Sequence, residues 1–229
     1  MYGALRSLVL EALAPTRCAG CGDPAPAVCL GCARALELLP QPDPVAKGGL
    51  RLHAAFLYSS PLREILHSGK YRDGRSALRV AAVLAAERYA ALPAPAFVVP
   101  VPLGRARLRQ RGYNQAETVS RAVAALLGAQ HRSWLRRVRD TGTQVGRSPA
   151  ARAANLSGAF QWLGPSHPAG RVWIVDDVIT TGATMLAGVH AAPHAAHRDI
   201  CGVALARAGE HLRGVARAPG PRHRGIMGP

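Results

Sequence analysis

Lysine is almost missing from this chain: Lys47 and Lys70 stand alone, so 27 of the 29 basic residues are arginines. Acidic residues are scarce too, 13 against 29, which leaves a formal charge of +16. Such a surface disfavours acidic partners less than any other class and attracts polyanions, whether phosphates or nucleic acid. Aromatic residues make up only 5% of the chain, too few for an extended base-stacking platform. No uncharged apolar run is long enough to cross a bilayer. The longest apolar-rich stretch, VAAVLAAERYAALPAPAFVVPVPL, is cut by Glu87, Arg88 and several prolines. The run in MYGALRSLVLEALAP is broken by Glu11, so it reads as a short amphipathic helix rather than a signal peptide. The expectation is a cytoplasmic protein without membrane insertion.

Five cysteines are present, and four of them are grouped: CAGCGDPAPAVCLGC carries Cys18, Cys21, Cys29 and Cys32. Two CxxC pairs joined by a short loop have the spacing of a Cys₄ zinc site, which would staple a module too small to build its own core. Four thiolates close the coordination sphere, so this zinc would be structural. Disulfides or a redox dithiol are the competing readings. Cys201, inside the apolar run ICGVALA, reads as a core residue.

In chain order, residues 1–45 read as the N-terminal helix and the zinc-ribbon module. PQPDPVAKGG at 40–49 reads as a linker at the boundary. A second unit is expected over 50–209. LRLHAAFLYSS reads as a strand, and SALRVAAVLAAERYAAL as a long helix ended by Pro93, with Lys70, Tyr71 and Arg72 in the polar turn between them. FVVPVPL at 97–103 reads as a buried strand. A basic loop with Arg105, Arg107, Arg109 and Arg111 follows, and then a helix from about Glu117 to Leu127. Residues 134–160 show little periodicity. They read as a basic flap without a core of its own, either over an anionic ligand or along a single strand of nucleic acid, although only Tyr113 and Trp134 fall among the eleven arginines of 103–152. His190, His194 and His197 have helical spacing, but Pro193 falls among them, so they read as an exposed helix end rather than a metal site. ICGVALARAG is the last strand expected, and residues 210–229 read as a disordered basic tail.

The most informative stretch is VWIVDDVITTGAT, residues 172–184. Val172 to Val175 form an apolar, β-prone run, Asp176 and Asp177 follow, and Thr180, Thr181, Gly182, Ala183 and Thr184 make a small-residue loop before the helix-like MLAGVHAA. A loop at a helix N-terminus offers free N–H groups to a phosphate, and hydroxyls add further hydrogen bonds. Adjacent carboxylates repel phosphate and suit a sugar diol, directly or through hydrated Mg²⁺. The implied ligand is a ribose 5-phosphate unit.

This stretch resembles the PRPP-binding motif of type I phosphoribosyltransferases over all thirteen positions. The resemblance implies an α/β fold, with a mostly parallel central sheet beside the small Cys₄ module. Asp176 and Asp177 would hold the ribose hydroxyls, and residues 180–184 the 5-phosphate. The double CxxC, LHSGKYRDG, VVPVPL with RGYNQA, and LRRVRDTGTQ with AARAANLSGAF occur in order around it. Together they resemble the ComF family, phosphoribosyltransferase-like proteins tied to DNA uptake. That resemblance implies PRPP with Mg²⁺ as ligand and a link to the DNA-uptake helicase, while the arginine-rich stretch leaves single-stranded DNA open as a partner. It places Arg111, Gly112, Tyr113, Asn114 and Gln115 near the pyrophosphate, with Lys70 as a further cation. Arg111, Asp176 and Asp177 are the candidate catalytic residues. Two departures stand out. Thr180 occupies the position of a third Asp found in purine-salvage enzymes, which argues against hypoxanthine or guanine as acceptor. APHAAH replaces the expected glycine-containing turn after the loop helix. No residue reads as a general base. The competing readings are an enzyme, a PRPP-binding scaffold without turnover, and a nucleic-acid-handling protein.

Overall fold

The computed structural model describes residues 17–40, 45–47, 50–70, 74–139 and 156–209. The expected N-terminal helix, Tyr71 and Arg72, the middle of the flap and the basic tail lie outside the described residues.

The centre of the fold is a six-stranded sheet. Its strands are β1 (Val45–Lys47), β2 (Leu50–Leu57), β3 (Phe97–Pro100), β4 (Gln130–His131), β7 (Val172–Ile179) and β8 (Ile200–Arg207), arranged β1-β2-β8-β7-β3-β4. Only the β1–β2 pair is antiparallel; the other neighbours run parallel. Parallel strands are covered on both faces, so their sequences become near-continuous apolar runs. β8 is buried along its whole length, and β7 is buried from Val172 to Val175. A second, two-stranded antiparallel ribbon pairs β5 (Leu135–Arg137) with β6 (Phe160–Trp162).

Helices cover both faces. α3 (Arg75–Tyr89) and α5 (Gln115–Leu126) pack on one face against Trp173, Val175 and Leu205. α6 (Ala183–His190) packs on the other, with Met185 and Val189 against Val172 and Ile174. The strand alternation of β7 divides its residues between these two cores. The described residues also form three short α-helices: α1 (Leu30–Arg34), α2 (Leu62–Ser68) and α4 (Arg105–Arg111).

The structure corrects several sequence-based expectations. The 40–49 linker contains the edge strand β1, whose three residues pair with β2. β3 stops at Pro100 rather than running to residue 103, because Pro102 cannot donate to a ladder. The basic loop after it is the helix α4, with none of its residues buried. A helix polar on nearly all sides carries no apolar stripe to announce it. α5 begins two residues earlier than expected, where Asn114 caps it. The flap is not without a core: Leu135 and Phe160 are buried, and Trp134 packs between Phe97 and Trp162 with ring centroids 4.7 and 5.6 Å away. β7 continues through both carboxylates to Ile179 instead of ending before them.

The cysteine module is joined to the sheet. Leu39 N–H donates to Ala55 O (3.1 Å), and Leu57 N–H donates to Glu37 O (2.8 Å). Leu36 belongs to the α3–α5 core.

Candidate functional site

β3 and β7 are neighbours, but the helices that follow them lie on opposite faces: α5 after β3 and α6 after β7. This is the switch point of the sheet, where a crevice opens beyond the carboxyl ends of the strands. The two segments singled out in the sequence, 111–114 and 176–184, flank that crevice.

On the β7 side the strand ends at Ile179, and two threonines lead to Gly182, which caps α6 with φ +72°. That left-handed conformation favours glycine over any residue with a Cβ. It turns the chain sharply enough for the α6 N-terminus to face the crevice. Thr181 Oγ1 accepts from Ala183 N–H at 3.4 Å. Thr180 is exposed, and Thr181 and Thr184 are half-buried. The first-turn N–H groups of any helix lack intrahelical partners and carry the positive end of its dipole, so this end can hold an anion.

Asp176 and Asp177 are half-buried and not equivalent. Each accepts one backbone N–H through Oδ1: Asp176 from Asp177 (2.9 Å), and Asp177 from Val178 (2.8 Å). Oxygen capacity is therefore left over for ribose hydroxyls or for the waters of a hydrated Mg²⁺, so the donor set suits such a ligand. Asp176 is within electrostatic reach of Arg137 on β5, and Asp177 of Tyr113. Burial first, and the neighbouring Asp177 charge second, push the Asp176 carboxyl well above the usual aspartate range.

On the β3 side, α4 ends at Arg111, and Gly112 closes it in the left-handed region at φ +73°. Arg111 donates to the Gln115 carboxamide oxygen. Tyr113 is buried; its hydroxyl donates to Gly69 O, next to Lys70, and its ring lies 4.2 Å under the Arg75 guanidinium. Burial raises its phenol pKa, while Arg75 and Arg111 oppose that rise. Asn114 is committed at both ends: Oδ1 accepts from Ala116 N–H (3.2 Å), and Nδ2 donates to Val101 O (2.9 Å). Val101 N–H in turn donates to Val175 O (2.8 Å), so Asn114 ties the start of α5 to the residue after β3, which is itself bonded to the middle of β7. Its side chain positions the site, leaving the backbone and side chains around it to meet a ligand.

Two residues of this region escaped the sequence reading. Arg75 opens α3 and meets Tyr113 only through the fold. Arg207 ends β8 opposite Ile179 and is buried; its one sequence signal is an arginine closing an apolar strand. Of the flap arginines, Arg136 turns to Gln161 (2.6 Å), whereas Arg137 lies over the Phe160 ring and near Asp176.

Cys18, Cys21, Cys29 and Cys32 bring their sulfurs within 4.8 Å of one another, and no other metal-competent group of three or more occurs among the described residues. Tetrahedral Zn–S bonds of about 2.3 Å separate sulfurs by about 3.8 Å, and Cys21 and Cys29 are 3.7 Å apart. Backbone N–H groups of Gly20 and Cys29 point at Cys18 Sγ, and that of Cys32 at Cys29 Sγ. Burial raises the Cys18 thiol, but these N–H groups more than offset it, bringing it down to about 6. Burial and the adjacent sulfurs push Cys32 up. Four such groups crowded together suit a dication. They could form a zinc site, and they sit beside the turn after β2, where Gly20 abuts Pro61.

The three histidines stand at the end of α6 and in the 3₁₀ turn His194–Asp199. His194 and His197 have ring centroids 4.8 Å apart, and His197 Nε2 meets Ala192 O at 2.9 Å. Pro193 separates the helix from the turn. A groove lies between α3 and α5, bordered at one end by Gly112, Tyr113 and Asn114. No helix of the described residues is long and apolar enough to cross a membrane.

A mostly parallel sheet with helices on both faces and an acidic strand end at its switch point defines a doubly wound α/β protein with a ligand crevice. No protein-family model matches the chain. Among known proteins, it is 37% identical over 175 residues to DNA utilization protein YhgH of Salmonella typhi, covering 73% of this chain and 74% of the relative. It is 34% identical over 177 residues to DNA utilization protein YhgH of Escherichia coli K12, covering 74% of each. Competence protein F of Haemophilus influenzae matches at 36% over 137 residues, 56% of this chain and 60% of the relative. The chain belongs to the ComF family, which holds these proteins. Two solved structures overlap it loosely. Glutamine PRPP amidotransferase from B. subtilis covers 59% of this chain and 30% of its own, with TM-score 0.37 and 18% identity. Adenine phosphoribosyltransferase from Leishmania tarentolae covers 64% and 74%, with TM-score 0.33 and 16% identity.

Proposed function

We propose that the chain binds PRPP in the β3–β7 crevice and transfers its phosphoribosyl group to an acceptor. One observation carries the reading: β7 delivers an acidic pair, and the Gly182 turn then delivers a helix N-terminus, both to the switch point. Carboxylates for a sugar diol beside an amide-lined end for a phosphate match the two ends of a ribose 5-phosphate.

In this reading the α6 N-terminus, with Thr180, Thr181 and Thr184, holds the 5-phosphate, and Asp176 and Asp177 orient the ribose hydroxyls. Arg111, with the backbone at Gly112 and the Lys70 ammonium, faces the pyrophosphate. The acceptor's lone pair forms a bond to C1 as the C1–O bond breaks, and pyrophosphate leaves with that electron pair. The transition state has oxocarbenium character, so positioning and stabilisation of the leaving charge supply the rate. Mg²⁺ bound with the pyrophosphate would offset part of that charge. Zinc in the cysteine cluster serves the fold. The names of the relatives, DNA utilization and competence, support DNA uptake as the setting.

A second reading, a PRPP- or single-stranded-DNA-binding scaffold without turnover, draws on the exposed Arg105, Arg107 and Arg109 of α4 and on the lack of an evident base. Calorimetry with PRPP, with and without Mg²⁺, on wild type and Asp177→Asn tests both. Mg²⁺-dependent binding lost in the variant, followed by acceptor-dependent pyrophosphate release, supports the enzyme. Binding with no release by any nucleobase points to the scaffold. DNA affinity that falls with salt and ignores Asp177→Asn, with no PRPP binding, sinks the PRPP reading.

A further inference from the structure

The groove between α3 and α5, about 750 Å³, meets the crevice at Gly112, Tyr113 and Asn114, and the rest of its length takes no part in the function proposed above. Two rows of side chains at helical spacing form its walls. Arg75, Arg79 and Val83 lie at i, i+4 and i+8 on α3, and Thr118, Ala122 and Ala125 at similar spacing on α5. Paired ridges of this kind leave a valley that seats a third helix. Leu108 of α4 overhangs it. Val83, Leu108 and Leu126 are 38%, 42% and 51% exposed, three of the seven large apolar side chains left exposed among the described residues. Exposed apolar side chains gathered in one concave site mark a docking surface more than scattered ones do.

Charge is distributed unevenly along the groove. Its head, where Arg75 stacks on Tyr113, is cationic: Arg75, Arg79 and Arg121 outnumber Glu117. Its far end, with Val83, Ala125 and Leu126, is apolar. Arg121 pairs with Glu117 at 2.8 Å, and Arg79 makes no ion pair or hydrogen bond among the described residues. We infer that this groove docks an amphipathic helix of a partner protein, with apolar residues at i, i+3 or i+4 and i+7 and carboxylates clustered at one end. A second copy of this chain would bring +16 against +16. A nucleic-acid strand would want a stacking ring, and Tyr113, the groove's aromatic residue, is buried with its hydroxyl bonded to Gly69 and its face covered by Arg75.

The test is a display selection of random 16-residue peptides on the full chain, followed by affinity measurement of the enriched peptides. Three variants are compared: Val83→Ser with Leu126→Ser, which strips the apolar end without changing charge; Arg79→Gln at the head; and Arg105→Gln on α4 as a charge control. All four side chains are exposed, so folding is retained, and melting curves check it. The expected result is enrichment of the acidic-ended apolar pattern, with affinity falling about tenfold in the first two variants and unchanged in the control. Three outcomes overturn the proposal: no such pattern, equal loss in the Arg105→Gln control, or insensitivity to the two serine substitutions. A single-stranded oligonucleotide that loses affinity in the groove variants, while no peptide does, overturns it as well.

Discussion

Asp176 and Asp177 are consecutive, yet they meet different neighbours: Arg137 from the ribbon and Tyr113 from the start of α5. The raised Asp176 carboxyl binds its proton more tightly folded than unfolded. It therefore favours folding at low pH, begins to oppose it as pH passes the ordinary value of about 3.9, and opposes it fully above its own raised value. Asp176→Asn should raise the melting temperature of the ligand-free protein at pH 7 by about 2–4 °C and flatten its decline from pH 4 to 7. The same change should abolish Mg²⁺-dependent PRPP binding. A lower melting temperature in thermal denaturation would refute the electrostatic account. Asn114 makes the opposite trade. Asn114→Ala removes a helix cap and leaves Val101 O without its side-chain donor, costing about 1–2 kcal/mol or several degrees. The PRPP contact of residues 111–114 should survive in calorimetry, because the amide is already engaged within the protein.

Gly182 shows how one backbone angle serves a whole element. An alanine there must adopt φ near +72°, at about 1–2 kcal/mol. Gly182→Ala should lower the melting temperature by a few degrees and weaken PRPP binding further than stability alone explains, since a relaxed turn re-aims the α6 N-terminus. Equal affinity for PRPP in the variant would remove the loop from the site. The 172–190 element was legible in the sequence because strand, carboxylates, glycine and helix are contiguous, β8 because burial made it an apolar run, and α3 because a long alanine-rich stretch ends before Pro93. α4 was not, since its arginines give no apolar period. The ribbon was not either: β5 and β6 are three residues each, and the Phe97–Trp134–Trp162 cluster that holds them joins residues far apart in sequence. Arg75 and Arg207 reach the crevice region from remote elements, so no local motif could mark them.

For the molecule as a whole, the cysteine cluster and the sheet are mechanically linked through residues 36–39. Purified protein should carry about one zinc per chain by mass spectrometry, and chelation should lower the melting temperature. It should also speed amide exchange at Leu39 and Leu57, whose N–H groups bridge module and β2. Protection at those two amides that ignores chelation would mean the module folds without metal. The sheet order has a consequence for how the chain is made. β8, the last strand among the described residues to leave the ribosome, lies between β2 and β7. About 140 residues separate Leu57 from Ile200, on the order of ten seconds or more of translation. Until β8 arrives, the β2 edge that it covers keeps its backbone N–H and C=O groups unpaired, and chaperone occupancy of the nascent chain should peak in that interval.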